Sequence, residues 1–182
     1  MDFKKAVVYI GILIAIILGA YYLSGFGNTS SGKQDDGLKP PADYKIPQGA
    51  IHWHPRLKIV ISGESYHVPD NIGLGPSAID SNIGSDMGAA PIHTHVLAED
   101  PEEENENGRR LHMESEAPYL KPSTLSLGYF FKVWGKTFNH NCILDKCNGP
   151  EGTVKMFVND KPNTDFEKYF MRDGDRILIV YG

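Results

Sequence analysis

Arg172-Asp173-Gly174-Asp175-Arg176-Ile177-Leu178-Ile179-Val180-Tyr181-Gly182 is the stretch that decides the fold. Asp173-Gly174 is turn chemistry, and the apolar run after Arg176 is short and rich in β-branched side chains. A run of that kind behind a turn predicts a central strand buried on both faces. Working back from it, Thr153 to Val158 alternates as a strand does, Asn159-Asp160-Lys161-Pro162 turns, and Phe166 to Phe170 is a short connector. Thr124 to Gly135 carries Leu127, Phe130, Phe131 and Trp134 at i, i+3, i+4 and i+7, which predicts a helix with one apolar face. Thr124 or Ser126 can cap its start and Gly135 its end. Further upstream, Leu57 to Ile61 reads as a strand continuing from Ile51. Ser62-Gly63-Glu64-Ser65 turns it, and Tyr66-His67-Val68 returns as a hairpin, with His67 on the surface. Trp53, Leu57, Ile59 and Ile61 share one parity, so odd-numbered residues face the core. The class is α+β, mainly sheet with one packed helix.

A hairpin, a packed helix, a strand, a short connector and a final central strand resemble the β-grasp (ubiquitin-like) arrangement. The closing run Asp173 to Gly182 is similar to the end of β-grasp sulfur carriers. Those end in Gly-Gly, whereas this chain ends Tyr181-Gly182, so the resemblance implies the fold and not the sulfur chemistry.

Histidine is distributed unevenly. His52-Trp53-His54, His93-Thr94-His95 and Leu111-His112-Met113-Glu114 hold five of the seven histidines. In a strand, alternate residues face the same way, so each segment places its imidazoles, or an imidazole and a carboxylate, on one side. If the three segments are neighbours in one sheet, five histidines and Glu114 converge on that side. Neutral imidazole is the commonest metal ligand and prefers zinc, copper, iron or nickel, of which copper or zinc is favoured here. The expected ligands are His93, His95 and His112, with His52, His54 and Glu114 next. The spacing matches neither a zinc finger nor His-Glu-x-x-His, and Met113 points away in the alternation. A single such pair more often marks a solvated strand face; three together point to a metal.

Length and charge bound the rest. The chain has 182 residues, 41% of them hydrophobic, and a formal charge of −5, enough for one domain with appendages. Residues 6–23 (AVVYIGILIAIILGAYYL) carry no charge and follow Lys4 and Lys5, which predicts a single membrane-spanning signal anchor. Residues 1–5 would lie inside the cell and everything beyond residue 23 outside. A cleaved signal peptide is the competing reading. Residues 24–50, rich in Gly, Ser, Pro and charge, predict a flexible linker, and residues 51–182 the folded extracytoplasmic domain. That domain has 13 Lys and Arg against 19 Asp and Glu and no basic stripe, which argues against nucleic acid as a partner. The long loop Asp70 to Ala90 reads as functional or mobile. The acidic run Glu99 to Glu106 reads as a solvated hairpin tip without chemistry. Cys142 and Cys147 predict a disulfide, with a thiolate site using His140 as the alternative.

Taken together, the domain resembles an uncharacterised family of anchored or secreted archaeal and bacterial proteins. The family pattern is an early His-x-His strand, a hairpin "HTHD…G.(I/L)H.E", a helix "LG.FF..WG" and a final strand "I.I.YG". Here the matching residues are His52 to His54, His93 to His95, Gly108 with Leu111 to Glu114, Leu127 to Phe131 with Trp134-Gly135, and Ile177 to Gly182. The match spans roughly residues 51–182 and implies no activity. Val96 replaces the pattern's Asp after His-Thr-His, and the acidic run lengthens the hairpin. The expectation is a membrane-anchored extracytoplasmic module binding copper or zinc for metal handling or sensing. A non-catalytic accessory subunit of a membrane complex is the alternative, and a cupin-like metal enzyme the third. No second acid, base or nucleophile constellation supports catalysis.

Overall fold

A computed structural model describes residues 38–76, 78–83, 88–98, 100–116 and 121–182. The expected anchor at 6–23 and the first half of the linker lie outside the described residues. The described part is α+β. Its strands are β1 (Ile51–Trp53), β2 (Arg56–Ile61), β3 (Glu64–Tyr66), β4 (Ile92–His93), β5 (Glu104–Asn105), β6 (Gly108–Arg110), β7 (His112–Ser115), β8 (Cys142–Ile143), β9 (Lys146–Cys147), β10 (Val154–Val158), β11 (Lys161–Asn163) and β12 (Arg176–Tyr181). One α-helix, α1 (Leu127–Trp134), stands among these residues.

The larger sheet runs β11-β10-β12-β2-β6-β5, with β3 also on β2. β12 is central: it pairs antiparallel with β10 and parallel with β2, Ile177 beside Leu57 and Ile179 beside Ile59. Burial is one-sided, however. Ile177, Ile179 and Tyr181 are buried, whereas Leu178 and Val180 are half-buried and Arg176 is exposed. The two-faced burial expected of this strand is therefore corrected. The buried side chains join Phe130 and Phe131 of α1 in one apolar cluster, and a single helix can cover only one face of a sheet.

α1 starts later than Thr124. Pro122–Leu125 forms a 3-10 turn, and the Thr124 hydroxyl donates to the Lys121 carbonyl. Ser126 is the cap: its Oγ accepts the Tyr129 N–H at 3.2 Å. Gly135, at φ +69°, ends the helix in the left-handed conformation that glycine adopts without cost. The hairpin forms with a two-residue turn, Ser62 and Gly63 both at positive φ, and β3 ends at Tyr66.

The strand expected from Ile51 to Ile61 is broken at His54-Pro55. Pro55 has no N–H to give a ladder, and the chain changes sheets there. β1 joins a second, three-stranded sheet of order β1-β7-β4, while β2 enters the larger one. The folded unit also begins before Ile51. Tyr44, assigned to the linker, is buried against Phe170, ring centroids 5.2 Å apart, and donates to the Met171 carbonyl at 2.7 Å. Its hydroxyl is pushed up to about 12 by that burial.

Cys142 and Cys147 are bonded to each other across β8 and β9. That removes both thiolates from any metal set with His140, whose backbone N–H donates to Glu167. His67 is exposed and pairs with Glu104 at 3.2 Å.

Candidate metal centre

The three histidine segments are the three strands of the small sheet. β7 lies in the middle, with His112 directly opposite His93 of β4 and Glu114 directly opposite His52 of β1. Residues opposed across a ladder share a face, so register alone gathers these four side chains. His54 and His95 continue the same parity just past the strand ends. The other face carries Ile51, Ile92 and Met113, all in the core. Met113 is completely buried there, away from the histidines.

Two groups of donors result. The ligand atoms of His93, His95, His112 and Glu114 all lie within 4.8 Å of one another, and so do those of His52, His54 and His112. Either group can hold a metal ion. The first is the more enclosed. His93 and His112 are buried and His95 and Glu114 are partly covered, whereas His52 is exposed.

Hydrogen bonds fix which nitrogen each ring presents. His93 Nδ1 lies 3.1 Å from the Ala90 carbonyl. A carbonyl only accepts, so Nδ1 carries the proton and Nε2 offers its lone pair. That Nε2 is 3.0 Å from His95 Nε2. Two ligands of a tetrahedral ion with metal–nitrogen bonds of about 2.0–2.1 Å stand about 3.3 Å apart, so little movement separates this pair from a ligand pair.

His112 is oriented from the opposite side. Its Nε2 donates to Glu103 Oε1 at 2.8 Å, which leaves Nδ1 buried and without a hydrogen-bond partner. Glu114 Oε1, at 3.7 Å from that nitrogen, is too distant for a hydrogen bond but close in charge. The same oxygen is 3.2 Å from His52 Nε2. A carboxylate behind one ring nitrogen and an open lone pair on the other is the arrangement that orients histidine ligands.

Charge follows this geometry. Burial pushes His93 down to about 4, so its ring is neutral near pH 7. His54 is also lowered, first by burial and then by His112 and His52 beside it. For His112, burial opposes the charge, but Glu114 and Glu103 outweigh it and its pKa rises. The His112 imidazole beside it holds the Glu114 carboxyl down at about 2.

Two contributors escaped the sequence reading. Glu103 belongs to the acidic run that charge alone would leave solvated, yet it is buried, 2% exposed, and binds both His112 and Arg110. Its signal was local: Asp100-Pro101-Glu102-Glu103 reads as a capped helical start, and Asp100 Oδ1 accepts the Glu102 N–H at 2.9 Å. That turn draws Glu103 inward. The second is Arg109, also fully buried. It lies 3.0 Å from Asp70 Oδ1 and donates to the His95 carbonyl, tying down the segment that carries His95. The described parts of the long loop are likewise anchored. Ile72 N–H donates to Thr94 Oγ1, and Asp80 accepts from Lys121 and Tyr129 at 2.8 Å each.

Comparison with protein-family models, with curated proteins and with solved structures finds no match to this chain.

Proposed function

We propose that this protein is a membrane-anchored, extracytoplasmic transition-metal-binding protein, built on a β-grasp-like scaffold, that handles or senses copper or zinc. The observation that carries the reading is the convergence of His93, His95, His112 and Glu114, ligand atoms within 4.8 Å of one another, around a His112 Nδ1 that is buried without a partner. A buried polar atom left unpaired costs roughly 1–3 kcal/mol, and a metal ion removes that cost. Three imidazoles and a carboxylate suit zinc or Cu(II). Among the described residues no thioether faces the site, which disfavours a dedicated Cu(I) carrier.

Four protein donors fill a tetrahedral shell and leave no position for substrate, which favours holding or sensing over catalysis. The uncharged run at 6–23 supports the anchor. The Cys142–Cys147 disulfide supports an oxidising compartment for the domain. The parallel pairing of β12 with β2, flanked by the β2–β3 hairpin and by β10 and β11, supports the β-grasp reading.

The test is metal content by mass spectrometry on the full chain, purified in detergent without a polyhistidine tag, beside the double variant His93→Ala/His95→Ala. The proposal expects near-stoichiometric copper or zinc retained through purification in the parent and a large loss of retained metal in the variant, whose remaining donors bind more weakly. No metal in either, after each ion is offered in turn, rejects it.

A further inference from the structure

Two donor groups in the small sheet compete for one atom. His112 belongs both to the set with His93, His95 and Glu114 and to the set with His52 and His54. Its Nε2 is held by Glu103 at 2.8 Å, so Nδ1 is the nitrogen left to give. An ion bound through His112 on one side deprives the other side of its third ligand. The two sets therefore act as alternatives for one ion.

Their exposure differs. The His52 side chain is 65% exposed and the His93 residue 1%. His112 stands between the pairs, its ring centroid 4.8 Å from that of His54 and 4.1 Å from that of His95. Glu114 also reaches both sides, 3.2 Å from His52 Nε2 and 3.7 Å from His112 Nδ1. The ladder thus lays out donors from solvent to interior with no gap longer than one ligand exchange.

We infer that His52, His54 and His112 form an entry site, from which the ion passes to the buried His93–His95–His112–Glu114 site. The inference rests on the metal-binding reading above. In the transfer, the bonds from the metal to His52 and His54 break and bonds to His93, His95 and Glu114 form. His112, common to both sets, keeps hold meanwhile, and the ion's charge does not change. Exposed ligands exchange with solvent and with a donor, and buried ones hold. Removing the outer pair therefore slows loading and release while leaving the final site intact.

The experiment uses Zn(II) alone, with the full chain in detergent, read by stopped-flow competition against a zinc-sensitive dye. The parent binds one equivalent. The variant His52→Ala/His54→Ala binds one equivalent with an affinity within roughly threefold of the parent, but loads and releases about tenfold more slowly or worse. The variant His93→Ala/His95→Ala still takes one equivalent, more weakly by about a hundredfold and with fast release. Two equivalents in the parent would mean a dinuclear centre and overturn the relay. So would unchanged rates in the outer-pair variant, or no binding at all in the inner-pair variant. No zinc in the parent would overturn the relay, and no uptake of any ion offered in turn would reject the metal-binding reading itself.

Discussion

Glu103 Oε1 accepts the Nε2 proton of His112 at 2.8 Å, inside an acidic hairpin that composition alone would leave in water. The bond decides which nitrogen of His112 is left to ligate: Nδ1, which lies 3.7 Å from Glu114 Oε1. A carboxylate behind a ligating imidazole fixes the ring's tautomer and orientation and raises its basicity, and its loss typically costs 10–100-fold in affinity. The variant Glu103→Gln keeps the volume and one acceptor but removes the charge. Its expected effect is zinc affinity lower by about tenfold, with the fold and the one-equivalent stoichiometry unchanged. Competition titration reads the first and circular dichroism the second. An unaltered affinity would show that His112 is oriented by something else.

The neutral, buried His93 makes the metal-free protein acid-sensitive. Its pKa is about 4 in the folded state and about 6.5 when unfolded, so between those values the unfolded chain binds more protons. Stability from this group is complete above pH 6.5 and is lost as pH falls towards 4, by about 3 kcal/mol in all. Glu114, held down at about 2, adds a further loss only below the ordinary carboxylate value. His112 works in the opposite sense. Its pKa is raised, so its contribution is complete at low pH and is lost as pH rises through its folded value. Between pH 6.5 and 4.5 the loss therefore comes from the histidines that burial lowers, His93 first and the less buried His54 with it. Urea unfolding of the metal-free His93→Asn variant, which keeps a donor for Ala90, should show a flatter profile there than the parent. Parallel profiles would contradict the assignment.

The same proton chemistry governs metal uptake. His93 is already neutral near pH 7, whereas the raised His112 gives up a proton to expose Nδ1. Below the His112 pKa, apparent affinity should fall about tenfold per pH unit, with one proton released per ion. Titration calorimetry in buffers of different ionisation enthalpy measures that proton directly. A release of zero would place the ion on another nitrogen.

Much of this was legible from residues alone, for a reason particular to sheets. His-x-His, His-x-His and His-x-Glu have period two, and a period-two pattern specifies a face wherever the opposite parity is apolar, as it is at Ile51, Ile92 and Met113. The helix and the central position of β12 were legible on similar grounds. Chain breaks and long-range ion pairs were not. Nothing in Ile51 to Ile61 announces a change of sheet except Pro55, which is equally at home at an edge. Glu103 lies among six carboxylates that charge counting treats alike. Only the Asp100-capped turn, Arg110 and His112 single it out, and two of those partners lie beyond the turn itself. Burial of Arg109 likewise depends on Asp70, a partner 39 positions away.

The disulfide stabilises locally. Cys142 and Cys147 close a short loop between α1 and β10, while the histidines come from β1, β4 and β7 and their flanks. Loop-closure entropy for a ring of this size is about 2 kcal/mol. Cys142→Ser/Cys147→Ser should therefore lower unfolding stability by about that amount and leave zinc stoichiometry at the parent value. Loss of zinc from this variant while it remains folded would show that the loop supports the site.

Gly108 links the acidic hairpin to the larger sheet, and its substitution separates fold from site. It sits at φ +98° at the start of β6, and a Cβ built there would stand 2.4 Å from the Leu57 carbonyl oxygen and 2.7 Å from the Lys58 nitrogen. Both are backbone atoms of β2 and cannot rotate away. Alanine at this position therefore meets an unfavourable dihedral and a clash together, each costing on the order of 1–3 kcal/mol. The cheapest relief is for β5 and β6 to lift from β2. That would carry Glu103 away from His112 and Arg109 away from the His95 carbonyl, since both residues belong to this hairpin. Gly108→Ala should then lower stability by about 2 kcal/mol or more and weaken zinc binding beyond Glu103→Gln, because two supports are lost instead of one. Combining the two substitutions tests the route. If Gly108→Ala acts partly through Glu103, the double variant binds zinc more tightly than the sum of the separate losses predicts. If the losses simply add, the glycine acts on the site by some other path.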